Sequence, residues 1–227
     1  MKAKQSALVI TKKQETPRCS LYVDGKQLKQ VNNFIYLGSK ITEDARADME
    51  IKRRISEAKR ALDKMRQTIT NNHLSIKTRK RAVKTYIWSV LLYGCETWTI
   101  SKNMEKRLEA AEMWIWRRVL KIPWTDRVTN DAVLRRMGTH RELLKSIRKR
   151  QLRFLGHVMR KGELENVCLT GRVEGRRARG RQRAKYMDGI NSTLGGGMSP
   201  ARILQKTANR EEWQIMVANV FSDTALR

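Results

Sequence analysis

Cysteine, proline and histidine are scarce in this chain, with three of each among 227 residues. Cys19, Cys95 and Cys168 are far apart and odd in number, so they offer neither a disulfide framework nor a Cys-x-x-Cys metal pattern. A reducing compartment, cytoplasm or nucleus, fits that usage best. His73, His140 and His157 have no Cys, His or carboxylate at ligand spacing, which argues against a metal site. Long apolar runs are missing too. The longest, Tyr86 to Gly94, is about half of what a membrane-spanning helix needs, and the apolar core Ala7 to Ile10 is too short for a secretory signal. No membrane partner is expected.

Acidic residues are also few: 22 Asp and Glu stand against 49 Lys and Arg, a formal charge of +27. Such an excess selects polyanionic partners, nucleic acid first. The aspartates, at 24, 44, 48, 63, 126, 131, 188 and 223, are never adjacent. Two-metal phosphoryl transfer needs carboxylates clustered around two divalent ions about 4 Å apart, and no such cluster is visible. A Gly-x-x-x-x-Gly-Lys phosphate loop and a Gly-x-Ser-x-Gly elbow are likewise missing.

What is present is a folded chain, 40% hydrophobic. Residues 6 to 42 read as three or four short strands. Ser6 to Thr11 is apolar and β-branched, Asp24-Gly25 between two short runs signals a hairpin, and Phe34 to Thr42 reads as a strand broken by Gly38. Helices follow. Ile51, Ile55, Ala58, Leu62, Met65 and Ile69 form one stripe. Ser75 or Thr78 opens a second helix with Val83, Ile87, Val90 and Leu91 inward and an end apolar nearly all round. Ser101 caps a third, which Pro123 stops. Asn130 to Met137, His140 to Lys161 and a helix opened by Ser199-Pro200 complete the series. The fold class is mainly α, a helical bundle preceded by a small antiparallel β segment.

Several cations lie off the apolar stripes. Arg53, Arg54, Lys59 and Arg60 on the first helix are candidate phosphate contacts by charge and helix face, as are Arg148, Arg150 and Arg153 on the later one. Between Gly171 and Lys185 run seven basic residues and one acidic. There Arg172, Arg176, Arg177, Arg179, Arg181 and Arg183 alternate with small residues, a linker able to follow phosphates. A solvated loop or a localisation signal is the bland alternative. The tryptophans sit mostly at helical spacing and read as core. Trp116, beside Arg117 and Arg118, is a weak candidate for base stacking.

The stretch "VNNFIYLGSKIT" resembles the Val-x-x-Phe-x-Tyr-Leu-Gly signature of reverse transcriptases from non-LTR (LINE-type, Jockey- or RTE-like) retrotransposons. Further blocks resemble that family in order: "ALVITKK", "LYVDGKQLKQV", "IKRRISEAKRALDKM", "LLYGCETWTI", "RRVLKIPWTDRVTNDAVLRRMG", "RKRQLRFLGHVMR", "GRVEGRRARGRQRAKYMDGI" and "REEWQIMVANVF". The resemblance implies that Phe34, Tyr36, Leu37 and Gly38 form the primer grip, which holds the 3′ end of the growing DNA. It implies an RNA template and a DNA primer as partners. It divides the chain into the end of the palm with its primer grip (residues 1–42), a helical thumb (43–165), and an arginine-rich linker with C-terminal helices (166–227).

The family's catalytic Asp-Asp turn would lie just before "ALVITKK", where Met1 stands. Template–primer binding without polymerisation by this chain alone is therefore expected. No catalytic residue is assigned and no cofactor is expected on the chain, magnesium belonging to the intact family enzyme. A basic nucleic-acid-binding protein adopted from the element, or an unstable decayed reading frame, are the alternatives.

Overall fold

Apolar residues spaced three and four apart build most of this molecule. The computed structural model describes residues 6–11, 16–162, 166–167, 169 and 185–222. Helix α1 (Asp48–Lys64) buries Ile51, Ala58 and Leu62, and the short α2 (Arg66–Ile69) buries Ile69. Ser75 accepts the amide of Thr78 and opens α3 (Ile76–Ala82). A π-helical turn, Val83–Ile87, then leads into α4 (Trp88–Leu91). Ser101 caps α5 (Lys102–Val119), and α6 (Asn130–Met137) ends at the left-handed Gly138. After α7 (Leu143–Lys161) come α8 (Tyr186–Thr193), α9 (Pro200–Ala208) and α10 (Arg210–Val220). Helix α9 starts at Ser199-Pro200 as expected, and Asn209 caps α10 behind it.

The chain is mainly α with a small β segment, the fold class implied by the sequence. The β details differ. Among the described residues, six short strands pair in twos. β1 (Ser6–Ala7) runs parallel to β4 (Lys29–Gln30), so the apolar run to Thr11 supplies only two strand residues. β2 (Tyr22–Val23) and β3 (Lys26–Gln27) form the hairpin expected at Asp24-Gly25. β5 (Asn33–Tyr36) and β6 (Ser39–Thr42) are two antiparallel strands, not one broken strand. Leu37 and Gly38 turn between them, both at positive φ. Two central residues of that kind match the twist of a two-residue hairpin.

The described helices enclose two cores. Helices α1, α3 to α6 and the start of α7 surround the first; the rest of α7 and α8 to α10 surround the second. Leu143 and Ile147 of α7 face the first, Leu152 and Leu155 the second. The helix is held across that seam by polar contacts. Gln151, 1% exposed, donates to the carbonyls of Trp98 at 2.8 Å and Cys95 at 3.2 Å. Glu112 of α5 accepts the amides of Glu142 and Leu143, capping α7 from another helix. Between the candidate contacts Arg150 and Arg153, Gln151 and Leu152 are buried, so the cations there do not form a continuous outward face. The end of the second helix is also not apolar all round: Leu91 and Leu92 are buried, but Tyr86 and Tyr93 are exposed.

In the second core, the Trp213 indole donates to the Leu152 carbonyl at 2.9 Å. A β-carbon on Gly156 would lie 2.4 Å from that ring. Glycine to alanine inside a helix normally stabilises by up to about 1 kcal/mol. Here overpacking reverses the sign, and Gly156→Ala is expected to destabilise by about 1–3 kcal/mol. Urea denaturation followed by circular dichroism checks this; a midpoint raised by the substitution would contradict the packing described.

Candidate nucleic-acid interface

Strand β5 keeps none of its side chains buried. Phe34 is 42% exposed, Tyr36 58% and Leu37 76%. Apolar groups left in water on a tight turn are costly, and Leu37 at φ 46 adds roughly 1 kcal/mol of backbone strain. The turn persists because it is gripped from behind. The Tyr93 hydroxyl donates to the Leu37 carbonyl at 2.8 Å. Both Arg53 and Arg54 donate to the Gly38 carbonyl. The Tyr93 ring packs against Gly38, its hydroxyl 3.4 Å from where a β-carbon would lie, an ordinary contact distance. What favours glycine there is the backbone, at φ +78.

The two arginines are themselves held. Glu50 accepts from the Nε atoms of Arg53 and Arg54 at 2.7 Å each, and from the Lys40 amide of β6 at 2.8 Å. Glu57 pairs with both guanidiniums, and Arg54 stacks 4.3 Å over the Tyr93 ring. Burial alone would push the Glu50 carboxyl up, but the hydrogen bonds from Arg53, Arg54 and Lys40 outweigh it and leave it below the usual carboxylate range. Arg53 and Arg54, chosen from the sequence as phosphate contacts, are thus committed to carrying the hairpin; their side chains are only 20% and 8% exposed.

The other sequence candidates scatter. Arg60 and Arg153 are exposed. Lys59 lies 5.0 Å over the Trp114 ring. Arg148 pairs with Glu105 and donates to Gln151. Arg150 reaches Glu96 and the Leu92 carbonyl, both at 3.4 Å. Arg172, Arg176, Arg177, Arg179, Arg181 and Arg183 lie outside the described residues. Trp116 is not available for stacking: it is fully buried, tilted against Trp88 with ring centres 6.1 Å apart. The exposed tryptophan is Trp124, at 86%. Its position just after Pro123, off every helical stripe, is the signal that could have found it.

Among the described residues, no three His, Cys, Asp or Glu side chains gather as metal ligands, and no helix is long and apolar enough to cross a membrane. The chain matches no family model and no solved structure. It is 30% identical over 138 residues to a transposon-derived protein of Caenorhabditis elegans, covering 60% of this chain and 49% of that relative. The chain thus spans about half the length of the curated relative it matches. The similarity suggests an origin in a mobile element.

Replacing Glu50 leaves two nearly buried guanidiniums short of a partner. Glu50→Ala is expected to cost about 3 kcal/mol. Because the folded carboxyl titrates below its unfolded value, the contribution of Glu50 is present above the unfolded pKa and is lost as pH falls through the folded one. Urea midpoints measured from neutral pH into the acid range check this. The substituted protein should lose stability less steeply with acid than the parent, and equal slopes would refute the linkage.

Proposed function

We propose that this chain is the primer-grip, thumb and C-terminal part of a non-LTR retrotransposon reverse transcriptase, binding RNA template and DNA primer without polymerising alone. The observation that carries this is the hairpin tip. Phe34, Tyr36 and Leu37 are held exposed by a network of Glu50, Arg53, Arg54 and Tyr93, of which Glu50 and Arg54 are buried. A fixed apolar turn loses little entropy when it presses on a sugar or terminal base. The net charge of +27 supplies the attraction to phosphates. The similarity to a transposon-derived protein agrees with that origin.

In this reading Arg53 and Arg54 position the grip rather than touch phosphate. Arg60, its sequence neighbour Lys59, and Arg153 are the phosphate contacts of the thumb. Arg148 and Arg150 help hold its last helix in place, and the arginines between Arg172 and Arg183 add further charge.

Fluorescence anisotropy with the full chain tests this, using an RNA–DNA hybrid with a recessed primer 3′ end against duplex DNA lacking one. The hybrid should bind more tightly, with log affinity falling linearly against log salt. Replacing Tyr36 and Leu37 together by alanine should weaken hybrid binding about tenfold, the loss of one well-buried apolar contact. Equal weak binding to every polyanion, or no effect of the double substitution, would overturn the primer-grip role. Metal-dependent extension of the primer by this chain would overturn the non-polymerising one.

A further inference from the structure

Between the end of α1, α2 and the C-terminal end of α5 lies an open cleft of about 530 Å³. Four cations line it, Arg66, Arg117, Arg118 and Lys121, against one carboxylate, Asp63. Two indoles line it as well. Trp114 is half-buried, with Lys59 and Arg118 over its ring at 5.0 and 5.2 Å. Trp124 is 86% exposed in a short 3₁₀ turn, Trp124–Asp126.

That turn is anchored. The Asp126 amide donates to the Pro123 carbonyl and the Arg127 amide to the Trp124 carbonyl, both at 3.3 Å. Arg117 reaches from α5 to the Val128 carbonyl at 2.9 Å, tying down the far side of the loop. Tryptophan is among the most buried residues on average. A solvated indole on an anchored turn, at the mouth of a basic cleft, presents a free π face.

We propose that this cleft binds an unpaired stretch of nucleic acid, with one base stacked on Trp124 and the flanking phosphates met by Arg66, Arg118 and Lys121. A paired base shows only its edge to a groove, so an indole face selects single strands, and stacking is indifferent to sequence. The cation excess complements the backbone phosphates. The inference shares only its ligand class with the proposed function above. It concerns a different surface from the hairpin, formed by α1, α2 and α5 instead of β5 and β6.

The experiment uses the full chain, intrinsic tryptophan fluorescence, and a short oligo(dT). The parent should be quenched on binding. Trp124→Ala should lose the quench and weaken binding about tenfold to a hundredfold, the effect of removing one base–aromatic stack. Trp124→Phe should keep most of the affinity. Arg66→Gln should lower the salt slope by about 0.7, one phosphate on a single strand.

Heparin, a polyanion without bases, should bind the parent and Trp124→Ala alike. An unchanged oligo(dT) affinity in Trp124→Ala, or an equal loss for heparin, would overturn the stacking site. So would a Trp124-dependent blue shift with phosphatidylserine–phosphatidylcholine vesicles but none of these effects with oligo(dT), which would make the cleft a membrane contact. A fully paired RNA–DNA hybrid, which offers the cleft no unpaired base, separates the two proposals: Trp124→Ala should leave its binding intact, and the Tyr36 and Leu37 substitutions should leave the oligo(dT) quench intact. Failure of the hairpin variants with a surviving Trp124 effect would strike the primer-grip role alone.

Discussion

Helix α7 is the constraint on which the rest of the structure depends. It supplies apolar side chains to both cores, so neither can form without fixing its position. Apolar packing alone allows a helix to slide or rotate by small amounts, because burial is not directional. Directional bonds remove that freedom. Gln151 locks the helix to the carbonyls of Cys95 and Trp98, and Glu112 locks its first amides. Tyr186 extends the lock to α8, its hydroxyl donating to the Glu96 carbonyl at 2.9 Å. Burial pushes the Glu112 carboxyl up, and the two amides recover only part of that. The cap therefore costs electrostatic energy to fix geometry, and the gain lies in one defined arrangement of helices.

The large positive charge is spent unevenly. Some cations close helix ends: Arg79 donates to the last α5 carbonyl, at Val119, and Lys80 to the Gly138 carbonyl beyond α6. Lys84 pairs with Glu142 and also lies over the Trp88 ring. Arg79 and Lys80 exploit the partial negative charge at the helix C-termini they close. Net charge counts such residues equally with Arg60 or Arg153, yet only cations left in water can exchange counterions for phosphates. The sequence total therefore speaks for attraction at long range and says little about which side chains make contact.

That distinction explains what could and could not be read in advance. Helices α1, α5, α6 and α7 follow from apolar spacing and from Ser101 and Gly138, because those signals are local. The hairpin at Asp24-Gly25 is legible for the same reason. The Leu37-Gly38 turn was hidden, since leucine rarely takes positive φ and only a distant tyrosine and two arginines make it worthwhile. Arg53 and Arg54 looked like solvent-facing cations because nothing near them in sequence reveals that β5 and β6 fold back over α1. Trp116 and Trp124 differ by a helix end. The first is carried inward by the α5 face, and the second escapes it past Pro123.

The hairpin and the segment after α4 also constrain one another. A β-carbon on Gly38 would touch the Tyr93 hydroxyl at 3.4 Å, an ordinary contact, whereas one on Gly94 would lie a tighter 3.1 Å from the Ser39 hydroxyl. Both glycines sit at positive φ, 78 and 70. Tyr36-Leu37-Gly38-Ser39 and Tyr93-Gly94 therefore form a matched pair of turns, each shaped to the other across 56 residues of chain. Two segments far apart in sequence meet at this point. Their residues there are explained by contact with each other before any ligand is invoked. The contact leaves the apolar side chains of Phe34, Ile35, Tyr36 and Leu37 exposed. A turn held so firmly through its backbone has its geometry set independently of whatever its exposed side chains touch.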